Sequence, residues 1–341
     1  MSRPRPSVLA TPPRPVPFEY PRLGKSTLVW WLRLLGAVAF VVLLLRLPPS
    51  QEVRLARLDL RWLGLCMVLT ILQLLVEAFV WQGLLLIQGI RHPYHKTLVD
   101  YLASLYLGLV TPGHVGEFMA AGYISMHTGI TVGYALSSVV MKKALNWIVL
   151  VGFGLWGLQL LPHFPLMERL QGAAIGSGVA LIVLAAGITI WVLSLRRLAR
   201  KWRKLSPWQV DMTEFWSGMR QLVSGQLVFP LIAASTSFVL LILQLASVLR
   251  ALGLNLSLDV VGKIVAFSRI VARMIPISVL GVGSKDYAVI ELLTKQGIEP
   301  AVGFTVTMLL VVCSYLMTLL LSAVSWWVNP LIVRRVPRAK S

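Results

Sequence analysis

Two stretches decide how this chain folds: LVTPGHVGEF at residues 109–118 and RMIPISVLGVGSKDY at residues 273–287. Each interrupts a long apolar run, 98–127 in the first case and 260–293 in the second. Proline lacks an amide donor and glycine loosens a helix, so neither run forms one straight rod. The apolar arm before each break holds about 13–15 residues, or ~20 Å of helix, too short to cross ~30 Å of hydrocarbon. Two short arms meeting at a break read as a re-entrant helical hairpin. Pro112, Gly113 and Gly116 make the first break, and Pro276, Gly281 and Gly283 the second. Such backbone is tolerated at membrane depth only under a cover of protein or water.

Six uninterrupted apolar runs surround the breaks, at 28–47, 60–87, 132–161, 173–195, 226–252 and 302–328. Of the 341 residues 57% are hydrophobic and 13% are charged, against about a quarter charged in a soluble domain. The expected fold is therefore an all-α integral membrane protein with six full spans and two re-entrant hairpins, eight transmembrane helices being the alternative. The net charge of +19 falls mostly between or at the ends of apolar runs, as topology signals and contacts with anionic lipid do. Nucleic acid is not an expected partner. Counting six spans puts the cluster Arg196, Arg197, Arg200, Lys201, Arg203 and Lys204 on the cytoplasmic side, together with both termini. The loop at 48–58 then falls outside despite Arg54 and Arg57.

Residues 1–25, rich in Pro and Arg, read as a disordered cytoplasmic tail without a signal peptide. Residues 26–333 form one polytopic domain containing a basic linker at 196–222, and 334–341 form a basic tail. The linker, with Trp202, Trp208 and Trp216, has the pattern of an interfacial amphipathic segment; a plain connecting loop reads equally well. Cys66 and Cys313 lie inside apolar segments, which argues for buried small hydrophobes rather than a disulfide or metal site. An internal repeat is visible. Ile71-Leu72-Gln73-Leu74 recurs 171 residues later as Ile242-Leu243-Gln244-Leu245, and 169 residues separate Glu117 from Asp286. Each of these acids follows a Gly-rich break. The halves 60–161 and 226–328 thus read as inverted repeats, an arrangement common in transporters with a midplane site.

Ionisable residues at membrane depth are costly and mark function by default. Glu117 follows the first break, as either a cavity carboxylate or a cap on exposed helix amides. Lys142 and Lys143 lie about ten residues into the next span, with Asn146 one turn from Lys143. Arg269 and Arg273 form an i, i+4 pair, and Lys285 and Asp286 open the return arm of the second hairpin. Glu77 and Gln73 make a polar stripe in mid-span, for a site or for interhelical hydrogen bonds. Cations outnumber anions in this set. It reads as a basic cavity for a phosphate headgroup, with Arg forks and half-helix N-termini as donors, against internal pairing of Glu117 with a Lys and Asp286 with an Arg. His114 is a candidate titrating group; His92, His95, His127 and His163 read as loop or interface residues. There is no Walker loop, HExxH or GxSxG, so no enzyme activity, cofactor or metal is expected.

These elements resemble the lysylphosphatidylglycerol synthase transmembrane-region family, also described as flippase-like domain proteins. The resemblance rests on Pro112-Gly113-His114-Val115-Gly116-Glu117, on Lys142-Lys143-Ala144-Leu145-Asn146, and on Arg273 through Pro276 followed by Gly281-Val282-Gly283-Ser284-Lys285-Asp286. Lys142 and Asn146 stand where the family has acids, and Asp286 where it has Glu. The resemblance covers nearly the whole chain after residue 25 and lacks the aminoacyl-transfer domain of longer synthases. It implies a lipid translocase in the cell membrane that moves a phospholipid, aminoacylated phospholipid or polyprenyl-phosphate-linked lipid between leaflets. A membrane-embedded transferase and a non-catalytic subunit of an envelope-lipid pathway are the alternatives. A second copy of the chain and a separate lipid-modifying enzyme are further candidate partners.

Overall fold

The computed structural model describes residues 58–157, 212–224, 226–274, 278–279 and 282–329. The expected spans 28–47 and 173–195, both tails, the Arg196–Lys204 cluster, Pro276, Gly281 and His163 lie outside the described residues. Pro112, Gly113 and His114 are described in their backbone alone.

Four helical stretches are long and apolar enough to cross a membrane: Leu60–Ile87, Val132–Gly157, Val228–Ala251 and Pro300–Val328. The first, α1 (Leu60–Ile87), starts where the Asp59 carboxylate accepts from the Arg61 amide at 2.9 Å. It ends at Gly89, whose φ of 74° needs a residue without Cβ. At ~1.5 Å per residue it runs ~42 Å. Large apolar side chains stay exposed on it, Leu60, Val68, Leu72, Phe79 and Leu86 among them. An apolar surface of that extent suits lipid rather than water.

α2 (Tyr94–Val110) stops at the first break. Pro112–Met119 then forms a 3-10 segment, and α3 (Ala120–Thr128) follows. Eight residues is long for a 3-10 helix, whose strained hydrogen bonds rarely persist beyond one turn. One glycine and a threonine hold it. A Cβ on Gly116 would lie 2.2 Å from the Leu107 backbone, so only glycine lets the segment fold back on α2. The Gly116 amide donates to Thr111 Oγ1 at 2.7 Å, and that hydroxyl donates to Leu107 O at 2.8 Å. Glu117 therefore sits late in a 3-10 segment, three residues before the first residue of α3.

α4 (Val132–Gly157) and the amphipathic α5 (Met212–Ser224) come next, then α6 (Val228–Ala251) and α7 (Leu258–Met274). The second break differs from the first. Ser278–Val279 (β1) pairs antiparallel with Val282–Gly283 (β2) in the register Ser278 to Gly283 and Val279 to Val282. The all-helical expectation omitted this two-residue ladder. α8 (Ser284–Lys295) and the last long helix follow; the latter is built from α9 (Pro300–Leu310), a π-helical turn at Val311–Leu316 and α10 (Met317–Val328).

α1 packs most extensively on α6, antiparallel to it: the Asp59 amide donates to Ala251 O at 3.1 Å, while Gly83 meets Pro230 near their other ends. α2 packs against α10 and α7 against α4, with α1 beside α2, α6 beside α7, and α5 on α4. Gly154 and Gly157 admit α7 closely, since a Cβ on Gly157 would come within 2.9 Å of Lys263 O. The largest buried cluster joins Cys66 of α1, Phe238 and Leu245 of α6, Ile264 of α7, Leu292 of α8 and Cys313 of the π turn.

Candidate functional site

Glu77 is the hub of a polar layer inside the bundle. Its Oε2 lies 2.8 Å from Lys142 Nζ, and its Oε1 accepts from Ser237 Oγ of α6 at 2.7 Å. Asn146 Nδ2 donates weakly to Glu77 Oε2 at 3.4 Å. Lys142 also stands over the Tyr101 ring of α2, 3.8 Å from its centroid. Tyr101 is within electrostatic reach of both Glu77 and Glu117. One helical step on, Lys143 binds Glu117 Oε2 at 2.5 Å and faces the Phe118 ring. The first break thus docks through Glu117 on α4, and α4 docks through Lys142 on α1.

From the other half, α7 brings Arg269 close enough to Glu77 and Asp286 to feel both charges. Arg273 is exposed and lies over Trp147 of α4, its guanidinium carbon 5.4 Å from the ring centroid. Asp286 is buried in the first turn of α8, where its Oδ2 accepts from the Gly283 amide at 2.9 Å. Among the described residues its Oδ1 has no hydrogen-bond partner, and Lys285 Nζ is 3.6 Å away.

Glu77, Glu117, Lys142, Lys143, Asn146, Arg269, Lys285 and Asp286 are all linked in this layer, with Arg273 at its edge. The pairing differs in detail from what the sequence suggested. Glu117 does pair with a lysine, but Asp286 takes its neighbour Lys285 rather than an arginine. Lys142 and Lys143, expected to receive a headgroup, are each neutralised by a glutamate. Three lysines match three carboxylates, and the excess positive charge is the two arginines. Among the described residues neither Arg269 nor Arg273 has a carboxylate within ion-pair distance. Sequence reasoning missed Tyr101 and Ser237, ordinary residues in apolar helices that tertiary packing brings to Glu77.

Gln73 has a separate role. Its Oε1 accepts from Gln244 Nε2 at 2.8 Å, and Gln244 Oε1 accepts from Ser314 of the π turn at 3.2 Å.

A second polar group lies at the end of the bundle marked by Gln88. His92 and His127, read from the sequence as loop or interface residues, come together here: His92 is buried, and both rings meet Asp100. Burial pushes the His92 imidazole below its usual range, more than the facing Asp100 carboxylate pulls it up. No pattern marked this group, because its members sit 8 and 27 residues from Asp100 on different elements.

A bundle of long, apolar helices that meets its own charges in the interior is an integral membrane protein. This chain belongs to the lysylphosphatidylglycerol synthase TM region family, whose model matches residues 29–322. Membership makes it a membrane protein of lipid metabolism or transport, with membrane lipids as partners. No curated protein and no solved structure matches it.

Proposed function

We propose that the protein is a lipid translocase whose polar layer receives a phosphate-bearing headgroup while the acyl chains stay in lipid. The observation that carries this is the residual charge. Every lysine of the layer has a carboxylate partner, and the arginines Arg269 and Arg273 are left over on one face of α7. Arginine presents a planar fork of donors that fits a phosphate, and its charge persists on burial. A headgroup between them would supply the missing anion, and the nearby carboxylates would accept an aminoacyl ammonium.

The architecture supports alternating access. Asp100 of α2 bonds His127 at the end of α3, so both arms of the first element meet at the Gln88 end of the bundle. α7 leaves from the Ala251 end, where α8 also returns before the final helix begins. We read these as re-entrant hairpins entering from opposite faces, at the centre of inverted halves 60–161 and 226–328. The reciprocal packing of α2 on α10 and α7 on α4 is what such a repeat requires. With the basic linker inside, the Gln88 end is cytoplasmic.

The test is leaflet exchange. Full-length protein reconstituted into liposomes should speed the loss of protected fluorescent phosphatidylglycerol, lysyl-phosphatidylglycerol or polyprenyl phosphate to a membrane-impermeant quencher. The R269A/R273A variant should lie at the protein-free rate. No acceleration for any of these lipids, with folded protein in the membrane, would refute the reading.

A further inference from the structure

His92 Nε2 lies 3.0 Å and His127 Nδ1 2.9 Å from the same oxygen, Oδ2 of Asp100. The three ligand atoms lie within 4.8 Å of one another. The two rings stack at 5.6 Å with 13° between planes. Asp100 is completely buried, and among the described residues no Lys or Arg pairs with it. Leaving a buried carboxylate without a compensating charge costs several kcal/mol. We infer that His92, Asp100 and His127 bind a divalent transition-metal ion of the zinc class.

The donor set argues for this class. Two imidazoles and one carboxylate suit zinc and its neighbours, whereas calcium and magnesium take mostly oxygen. Zinc holds such ligands at about 2.0–2.2 Å in a tetrahedron. That separates the ligand atoms by about 3.3 Å, so the two contacts to Asp100 need open by only a few tenths of an ångström, with the two ring nitrogens within 4.8 Å of each other. Asn329 supplies the outer support. Its Nδ2 donates to Asp100 Oδ1 at 2.8 Å, which turns Oδ2 towards the histidines, and its own carbonyl accepts from Tyr123 Oη at 3.0 Å.

A fourth coordination position has room. His92 and His127 line a cavity of about 500 Å³ with Gln88, Arg91, Lys96 and Tyr134. Gln88 Oε1, buried on that wall, has no hydrogen-bond partner among the described residues. His127 is about one-third exposed, so an ion can enter from this side. Bound there, it would fasten the loop before α2, α2, the last turn of α3 and the end of α10 at one point. The site is remote from the arginine pair in role and does not depend on the translocase reading.

Untagged full-length protein, purified in detergent and stripped with EDTA, is titrated with Zn²⁺ and with Co²⁺, whose visible spectrum reports coordination. Bound metal is counted by mass spectrometry. The wild type should retain about one ion per chain, melt higher with Zn²⁺, and give the intense cobalt bands of a four-coordinate N/O site. D100N and H92A/H127A should retain none, and N329A should bind ten- to a hundredfold more weakly. If D100N fails to fold, H127A decides, since that ring is partly exposed. A wild type that neither retains metal nor melts higher with Zn²⁺ would overturn the inference. So would equal metal content in H127A. The three side chains would then be a hydrogen-bonded latch alone.

Discussion

Gln73 and Gln244 occupy equivalent places in the two repeated tetrapeptides, and their side-chain amides hydrogen-bond to each other at 2.8 Å. A residue can contact its own counterpart only where a two-fold axis passes nearby. On the proposed inverted-repeat reading, the pair would lie beside the axis relating the two halves, where α1 packs on α6. The π turn of the last helix adds Ser314 to the same node, and such turns recur where a helix must yield.

Hydrogen bonds between helices inside a bilayer are worth ~0.6 kcal/mol on average and rarely exceed ~1.7. A double-mutant cycle of Q73A and Q244A, read by unfolding in mixed micelles, should give a coupling in that range. Coupling indistinguishable from zero would mean that the pair is spatially close but energetically idle.

The Glu77–Lys142 pair should behave asymmetrically. Removing one partner strands the other charge in the bundle, at ~3–5 kcal/mol, whereas apolar residues of similar volume at both positions are often neutral. E77Q and K142A should each melt well below wild type, and E77L/K142M near it. Leaflet exchange by the stable double variant then separates the two roles of Glu77: retained transport makes it a structural tie, and lost transport makes it part of the headgroup path.

Much of this was legible in the chain. Pro112, Gly116 and Gly283 announce the breaks, Gln73 and Gln244 stand at matching places of a repeated tetrapeptide, and pairing with a lysine is one of the two readings open to Glu117. These signals are local or periodic. The Lys142–Glu77 bridge was not legible, because 65 residues separate its members and a lysine offers no geometry that names its partner. The His92–Asp100–His127 group was missed for a similar reason, and Asn329 lies 229 residues beyond Asp100. The β ladder between Ser278 and Gly283 could not be foreseen from two-residue strands with no alternation to read.

Gly108 and Gly116 should fail differently. A Cβ on Gly116 meets backbone at 2.2 Å, and backbone cannot swing away. A Cβ on Gly108 meets the Glu117 side chain, at 2.4 Å from its Cγ, which can move. G116A should lower stability by ~1–3 kcal/mol, as overpacking does. G108A should instead displace Glu117 from Lys143 with a smaller loss of stability. Thermal unfolding of the two variants, alone and combined with K143A, checks this: K143A should add less to G108A than to wild type.

Arg269 and Arg273 offer the sharpest separation of charge from geometry. R273K keeps the positive charge but loses the planar fork and much of its stacking on Trp147. R273A loses all three, and W147A removes only the aromatic platform. If a phosphate headgroup is held by a fork, the order of exchange rates should be wild type, W147A, R273K, R273A. A cation–π contact contributes ~0.5–1 kcal/mol at an exposed site, so W147A should cost no more than about fivefold. A charge-assisted phosphate contact is worth ~1.5–3 kcal/mol, which puts R273A at about ten- to a hundredfold. An R273K variant as fast as wild type would show that net charge alone attracts the lipid. Equal rates for all four would remove Arg273 from the path and leave Arg269 as the remaining anchor.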